Sequence, residues 1–277
     1  MAHAVPRWEE AWGRYATDLG GRWSSGGTNV GFAPGQLRFA NGARIELLAP
    51  FEPERNDFLA RFLDRSGPGA HHLTFKVPDL DVALAAARHA GFTPVNEDWS
   101  DPIWFEAFLH PREATGIVVQ LAQTPIEWVS DPPGNFPSAL RARTDGTGPT
   151  GPADLLRVCH VVDDLDRAQA LFGGLLDGAV VAEGGAGDVR WIDLAWPGPL
   201  GLRLVAAADG ATGEVAAWLD GRPGRVRHLE LVVEEPLGVT GTGQPASDLC
   251  FLGEDGPVVE IPPADNLGLG LALRAMD

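Results

Sequence analysis

Cysteine is almost missing. Cys159 and Cys250 are the only two in 277 residues, which excludes a disulfide scaffold and a CxxC zinc site. Lysine is scarcer still: Lys76 stands alone, and every other base is arginine. Positive charge as a whole is in deficit, with 21 Lys+Arg against 38 Asp+Glu and a net charge of −17. A surface this acidic argues against nucleic acid and anionic membranes as partners. No apolar run approaches the roughly 18 residues of a membrane span, and residues 1–20 lack the apolar stretch of a signal peptide. The expectation is a soluble cytoplasmic protein. Hydrophobic residues make up 44%, enough to build real cores and too many for a disordered chain.

At roughly 100–200 residues per domain, the length suggests two domains. Residues 127–153, within the Pro- and Gly-rich stretch TPIEWVSDPPGNFPSALRARTDGTGPTGPA, read as a linker between domains at 1–126 and 154–277. The linker and the second half carry most of the negative charge, so the first half is the easier host for an anionic ligand.

Each half repeats a pattern of strand, helix and further strands. VPRWEEAWGRYATDLGG (5–21), VPDLDVALAAARHAGF (77–92) and VDDLDRAQALFGGLLDG (162–178) each read as strand end, cap and helix. Asp79, and Asp163 or Asp164, suit helix N-caps, while Gly91 and Gly178 suit helix ends. FLARFLDRSGPGAHHLTFKV (58–77) is echoed by EVAAWLDGRPGRVRHLELVV (214–233). ARIELLAP (43–50), GIVVQLAQ (116–123), LGLRLVAA (200–207) and PVVEIPPA (257–264) read as the final strands of four units. In the fourth unit VVEEPLGVTGTGQPASD (232–248) is too poor in helix formers to keep the helix. The fold expected is α+β, with four βαβββ modules in two pairs, because no single module buries both faces of its sheet.

This arrangement resembles the vicinal oxygen chelate superfamily of glyoxalases, bleomycin resistance proteins and dioxygenases. The local likeness of ARIELLAP, GAHHLTFKVPDLDVA and FLHPREATGIVVQLAQ is to methylmalonyl-CoA epimerase. The resemblance implies that each pair of modules forms a half-open barrel. It also implies a divalent metal in the cleft, held by side chains from the first and last strand of each module. Carried onto this sequence, the ligand positions are Glu46, His72 and Gln120, and the fourth falls before Met1. His3 is close, but on a regular strand it would turn to the other face. Period-two alternation independently puts Glu46, His72 and Gln120 on the less apolar face of each strand. A carboxylate, a neutral imidazole and an amide oxygen suit Zn, Ni, Co, Mn or Fe(II). Taken singly, each residue is more often structural than a ligand.

The corresponding positions of the second half are Arg157, Arg203, His228 and Glu260. Arginine is a donor only and cannot ligate a cation. This half therefore reads as degenerate, with an internal ion-pair cluster favoured over an anion pocket. An iron site of the extradiol dioxygenase kind is disfavoured there.

The base position of the epimerase is occupied by Asn29, which cannot take a proton. That leaves Glu46 as catalytic carboxylate and ligand together, with Glu106 a second candidate of unassigned facing. Asn29, Thr74, Lys76, Trp104 and Arg112 are the candidate substrate contacts. Trp99 and Phe105 read equally well as core, and His110 reads as structural. The function expected is that of a metal-dependent lyase or isomerase acting on a small oxo-acid, thioester or thiol adduct. A metal-free sequestering protein is the alternative, and a dioxygenase ranks third. Closure of the module pairs within the chain, or across a homodimer, is left open.

Overall fold

The computed structural model describes residues 1–127, 129–132, 152–208, 213–236, 244–245 and 258–276. They form two eight-stranded mixed sheets. The first runs β1 (Ala2–Ala4), α1 (Trp8–Trp12, continued as a π-helical turn over Gly13–Asp18), β2 (Arg22–Gly26), β3 (Ala33–Arg38) and β4 (Arg44–Ala49). Then come α2 (Phe58–Ser66), β5 (Gly69–Lys76), α3 (Leu80–His89), β6 (Val95–Asp101), β7 (Trp104–Leu109) and β8 (Val118–Gln123).

The second repeats the plan: β9 (Asp154–Val162), α4 (Leu165–Gln169, continued as a π-turn over Ala170–Leu175), β10 (Ala179–Ala186), β11 (Val189–Ala195) and β12 (Gly201–Ala207). It ends with α5 (Glu214–Leu219), β13 (Gly224–Val233), β14 (Gln244–Pro245), β15 (Val258–Ile261) and β16 (Gly270–Ala275). Strand order is β2-β3-β4-β1-β5-β8-β7-β6 and β10-β11-β12-β9-β13-β16-β15-β14. In each half two modules thus join, through the antiparallel pairs β1–β5 and β9–β13, and both pairs close within the chain; among the described residues the first three modules show the βαβββ order.

Local chemistry accounts for the helices. The Asp79 carboxylate accepts from the Val82 N–H at 3.0 Å and opens α3. Of the two candidates at α4, Asp164 is the cap, accepting from the Arg167 N–H at 2.9 Å. Such caps satisfy an N–H that the helix leaves without a partner. Gly91 ends α3 at φ +89°. Gly178 has a different reason: a Cβ there would lie 2.6 Å from the Phe172 carbonyl oxygen and from the Trp196 ring.

One expectation is corrected. PVVEIPPA holds β15, the strand before the last, and the final strand is β16. Both segments are short apolar runs, and only the pairing separates them. The proposed loss of a helix in 232–248 falls largely outside the described residues, as does most of the linker. The start of the linker lies on the first sheet: Ser130 N–H donates to Ser24 O at 3.0 Å, and Trp23 Nε1 donates to Ser130 O at 2.6 Å.

The halves meet along a seam with pseudo-twofold character. His3 Nε2 bonds Leu267 O at 2.8 Å, and the matching His160 Nε2 bonds Thr115 O at 2.8 Å. Thr115-Gly116 and Leu267-Gly268 both take positive φ. Their glycines touch backbone of the other half, where a Cβ would fall about 2 Å from Gly224 O and Pro68 O respectively. Apolar packing crosses too, with Phe75 5.9 Å from Phe172 and 5.1 Å from Trp196 between ring centroids. His3 turns to this seam, as a regular strand requires.

Candidate functional site

The first sheet has one apolar face and one face with a polar centre. In register, Gln36 lies beside Glu46, Glu46 beside Ala2, Ala2 beside His72, and Thr74 beside Gln120. Neighbours in register point the same way, so Gln36, Glu46, His72, Thr74 and Gln120 share one face. Leu73, on the opposite face of β5, is buried in the core. A bulge in β5 inserts His71 between the pairs Ala2–His72 and His3–Ala70. It brings His71 Nδ1 to 2.9 Å from His72 Nδ1 and sets the His71 ring 4.8 Å from that of Phe62 on α2.

Gln36 Nε2 donates to Glu46 Oε2 at 3.1 Å, and Ser25 Oγ donates to Gln36 Oε1 at 3.0 Å. The other carboxylate oxygen, Glu46 Oε1, faces His72 Nε2 at 3.8 Å. That gap is beyond hydrogen-bond length, and it suits two donors sharing one ion at roughly 2.0–2.2 Å each. With His71 on the other nitrogen, the His72 ring is oriented as metal-bound imidazoles usually are. Burial holds the His72 pKa well below its ordinary value, helped by His71, so the ring is the neutral form that ligates metals. Burial raises the Glu46 pKa against the Gln36 hydrogen bond, and the nearby Glu106 carboxylate pushes the same way.

Glu106 also turns to this face. Its Oε2 accepts from Trp104 Nε1 and from Gln120 Nε2, both at 2.7 Å. Gln120 Oε1 accepts from Thr74 Oγ1 at 2.6 Å. Gln120 is therefore the weaker donor for an ion, since its amide is used at both ends. Among the described residues no group of three or more His, Cys, Asp or Glu is arranged to hold a metal. The donor set available is Glu46 and His72, with the Gln120 oxygen third.

The remaining candidates divide. Thr74 and Trp104 join the cluster through Gln120 and Glu106. Lys76 lies on the same face two residues on, close enough to Arg44 for that charge, after burial, to lower its pKa. Asn29 is exposed in the turn between β2 and β3, bridged to Phe32. Arg112 is exposed, and its carbonyl accepts from Arg167 of the second half at 3.1 Å. Asn29 and Arg112 thus bond elsewhere, and the structure does not bring them into the Glu46–His72 cluster. His110 Nδ1 accepts from the Arg112 N–H, a local structural role, and Phe105 packs against the core.

Residues 1–108 match the family model described as "Glyoxalase/Bleomycin resistance protein/Dioxygenase superfamily". The first half is a domain of this superfamily. Among solved structures, a mutant 4-hydroxymandelate synthase from Streptomyces coelicolor covers 100% of this chain and 92% of its own, at 18% identity and TM-score 0.63. That likeness shows the fold, for both halves. Methylmalonyl-CoA epimerase from Mycobacterium tuberculosis is 26% identical over 45% of this chain and 85% of its own, TM-score 0.40. A hypothetical protein from Bacillus halodurans is 22% identical over 47% and 94%, TM-score 0.41. A search of curated proteins returns no match.

Compared with this superfamily domain, the second half reverses the polarity of the cleft. Its β13 carries the same bulge, at Arg227. By register Arg203 replaces Glu46, Asp193 replaces Gln36, His228 replaces His72, and Ala272 replaces Gln120. Glu260 is thus not at the last-strand position; it sits on β15 and pairs with Arg227 at 2.6 Å. Arg203 grips Asp193 through Nε at 2.7 Å and Nη2 at 2.6 Å. Arg157 bridges Asp193 and Glu230, and Arg274 Nε reaches Glu230 at 2.6 Å. An internal ion-pair cluster is present, and its buried acids are Asp193 and Glu230, which stand at the positions of Gln36 and Thr74 rather than at the four positions read as ligand sites.

Proposed function

We propose that the first-half cleft is the active site of a metal-dependent lyase or isomerase that moves a proton next to a carbonyl in a small oxo-acid, thioester or thiol adduct. In this reading residues 1–126 and 154–277 are separate domain units joined by 127–153, and the second is structural. The observation that carries it is the Glu46–His72 pair: a carboxylate of raised pKa facing a neutral, oriented imidazole across 3.8 Å. Glu46, His72 and the Gln120 oxygen would hold a divalent ion. When bound, the ion supplies polarisation of the substrate carbonyl.

The chain's own residues do the rest. Gln36 orients the Glu46 carboxylate through one oxygen, and that carboxylate would serve as ligand and as proton acceptor together. A base whose pKa is lifted toward neutrality both holds and returns that proton efficiently. Glu106 holds the Gln120 amide in place, and Thr74 fixes its other end. Trp104 and Lys76 flank the polar centre as contacts for the body and the anionic end of a substrate.

Glu46→Gln should reduce solvent-deuterium exchange into an accepted substrate by about 10²–10⁴-fold, the contribution typical of general-base catalysis. The acid limb reports the ionisation of Glu46: burial raises its pKa in the metal-free protein, and a bound divalent ion would lower it, so loading with metal should move the limb to lower pH. No exchange across a panel of 2-oxo acids, acyl thioesters and hemithioacetals would remove the reading. One observation favours metal-free small-molecule binding instead: the Gln120 amide is satisfied within the protein at both ends.

A further inference from the structure

The seam between the halves occurs twice, once on each side of its pseudo-twofold, and the two copies differ in what lies between helix and turn. In the first, Leu19 N–H donates to Arg14 O and Gly21 N–H to Tyr15 O; in the second, Leu176 N–H donates to Leu171 O and Gly178 N–H to Phe172 O. These matched bonds set α1 on α4 with Glu10 at the place of Arg167. The facing turns match as well, because Gly116 N–H donates to Pro111 O and Gly268 N–H to Pro263 O, both at 2.7 Å. Ala264 and Asp265 therefore stand where Arg112 and Glu113 stand.

At the second copy Arg167 spans from helix to turn: its Nη2 donates to Arg112 O and Glu113 O, both at 3.1 Å. At the first copy Glu10 replaces the arginine, and a cavity of about 450 Å³ lies between helix and turn. Glu10, Arg14 and Asp18 line it from one side, and Ala264, Asp265 and Asn266 from the other. That volume is in the range of small-molecule sites. The turn is held in place before any ligand arrives. Asp265 N–H donates to Pro262 O at 2.9 Å, and Asn266 Nδ2 donates to Tyr15 Oη at 3.0 Å and to Leu269 O at 2.7 Å. Arg14 is paired with Asp18 at 2.8 Å. Glu10 meets Arg7 at 3.0 Å, an exposed pair of a kind worth little and readily exchanged.

We propose that this seam cavity binds the guanidinium group of a small organic cation, between Glu10 and the carbonyls of Ala264 and Asp265. The ligand takes the place of the side chain that Arg167 supplies at the other copy. Its N–H groups meet two turn carbonyls, as those of Arg167 do, and the carboxylate standing in the arginine's position supplies the opposite charge. A carboxylate matches a planar guanidinium through two parallel hydrogen bonds. The site stands independently of the function proposed for the first half.

The probe is ethylguanidinium, titrated into the full chain by calorimetry at constant ionic strength, with propylammonium and tetramethylammonium for comparison. Saturable binding of ethylguanidinium is expected, weaker binding of propylammonium, and none of tetramethylammonium, which has no N–H to donate. Glu10→Gln should weaken ethylguanidinium binding about 10-fold or more, because a hydrogen bond to a charged partner is lost. Glu10→Arg should abolish binding and raise the melting temperature without ligand, since its side chain can reach the turn carbonyls as Arg167 does. Glu10 is exposed, so both variants should fold. Propylammonium bound as tightly as ethylguanidinium, binding unchanged in Glu10→Arg, or no saturable binding at all would overturn the inference.

Discussion

Gly268→Ala puts a methyl group into the seam between the halves. Its Cβ would lie 1.9 Å from Pro68 O and 3.5 Å from the Gly69 Cα. These are backbone atoms and cannot swing aside. The residue also sits at φ +80°, where an L side chain costs about 1–2 kcal/mol. Forcing atoms into a packed interface adds about 1–3 kcal/mol, giving about 2–5 kcal/mol in all. Gly116→Ala is the equivalent change, with its Cβ 2.1 Å from Gly224 O and φ +87°. Gly91→Ala is the control: φ is +89°, but nothing lies within 4 Å, so it carries only the backbone cost. Urea denaturation of the three variants separates the two contributions. Both seam variants should lose about 1–3 kcal/mol more than Gly91→Ala. Equal losses in all three would refute the seam as the place where the halves touch.

The seam also sets acid sensitivity. Burial lowers the pKa of His3 and of His160 from 6.5 to about 4. Protons therefore bind the unfolded chain first. Stability present above pH 6.5 is lost as pH falls toward 4, by up to about 3 kcal/mol per histidine. The double variant His3→Gln, His160→Gln should show a flatter stability profile between pH 7 and 4.5, measured by denaturant titration; an unchanged slope would contradict this. In the second half, Asp193→Asn removes the carboxylate charge that pairs with both Arg157 and the fully buried Arg203 and should cost about 3–5 kcal/mol. A change of under 1 kcal/mol in chemical denaturation would show that the ion-pair cluster is not anchored there.

The fold was legible in the sequence because the modules repeat local signals. Asp79 and Asp164 cap their helices, and alternation along 72–77 predicts the faces of β5. The resemblance pointed to Glu46 and His72, which the sheet register places on either side of Ala2. What stayed hidden depends on pairing between distant strands. β15 and β16 read alike as sequence, so Glu260 was given a position that belongs to Ala272. The facing of Glu106 could not be read because β6 and β7 pair with two register shifts. Asp193 left one usable trace: it is a lone acid between Ile192 and Leu194 in an apolar strand. Such a buried charge demands a partner, and Arg203 lies beside it in register. The seam histidines left none, because their acceptors are carbonyls of the opposite half.

If the first-half cleft is the site of chemistry, a divalent ion and the substrate belong there. The most direct measurement is metal content, by mass spectrometry, of wild type, His72→Ala and His228→Ala purified without added metal, with folding checked by circular dichroism. About one divalent ion per chain is expected in wild type and in His228→Ala, and none in folded His72→Ala. Metal kept by His72→Ala and lost by His228→Ala, or absent from wild type, would contradict it.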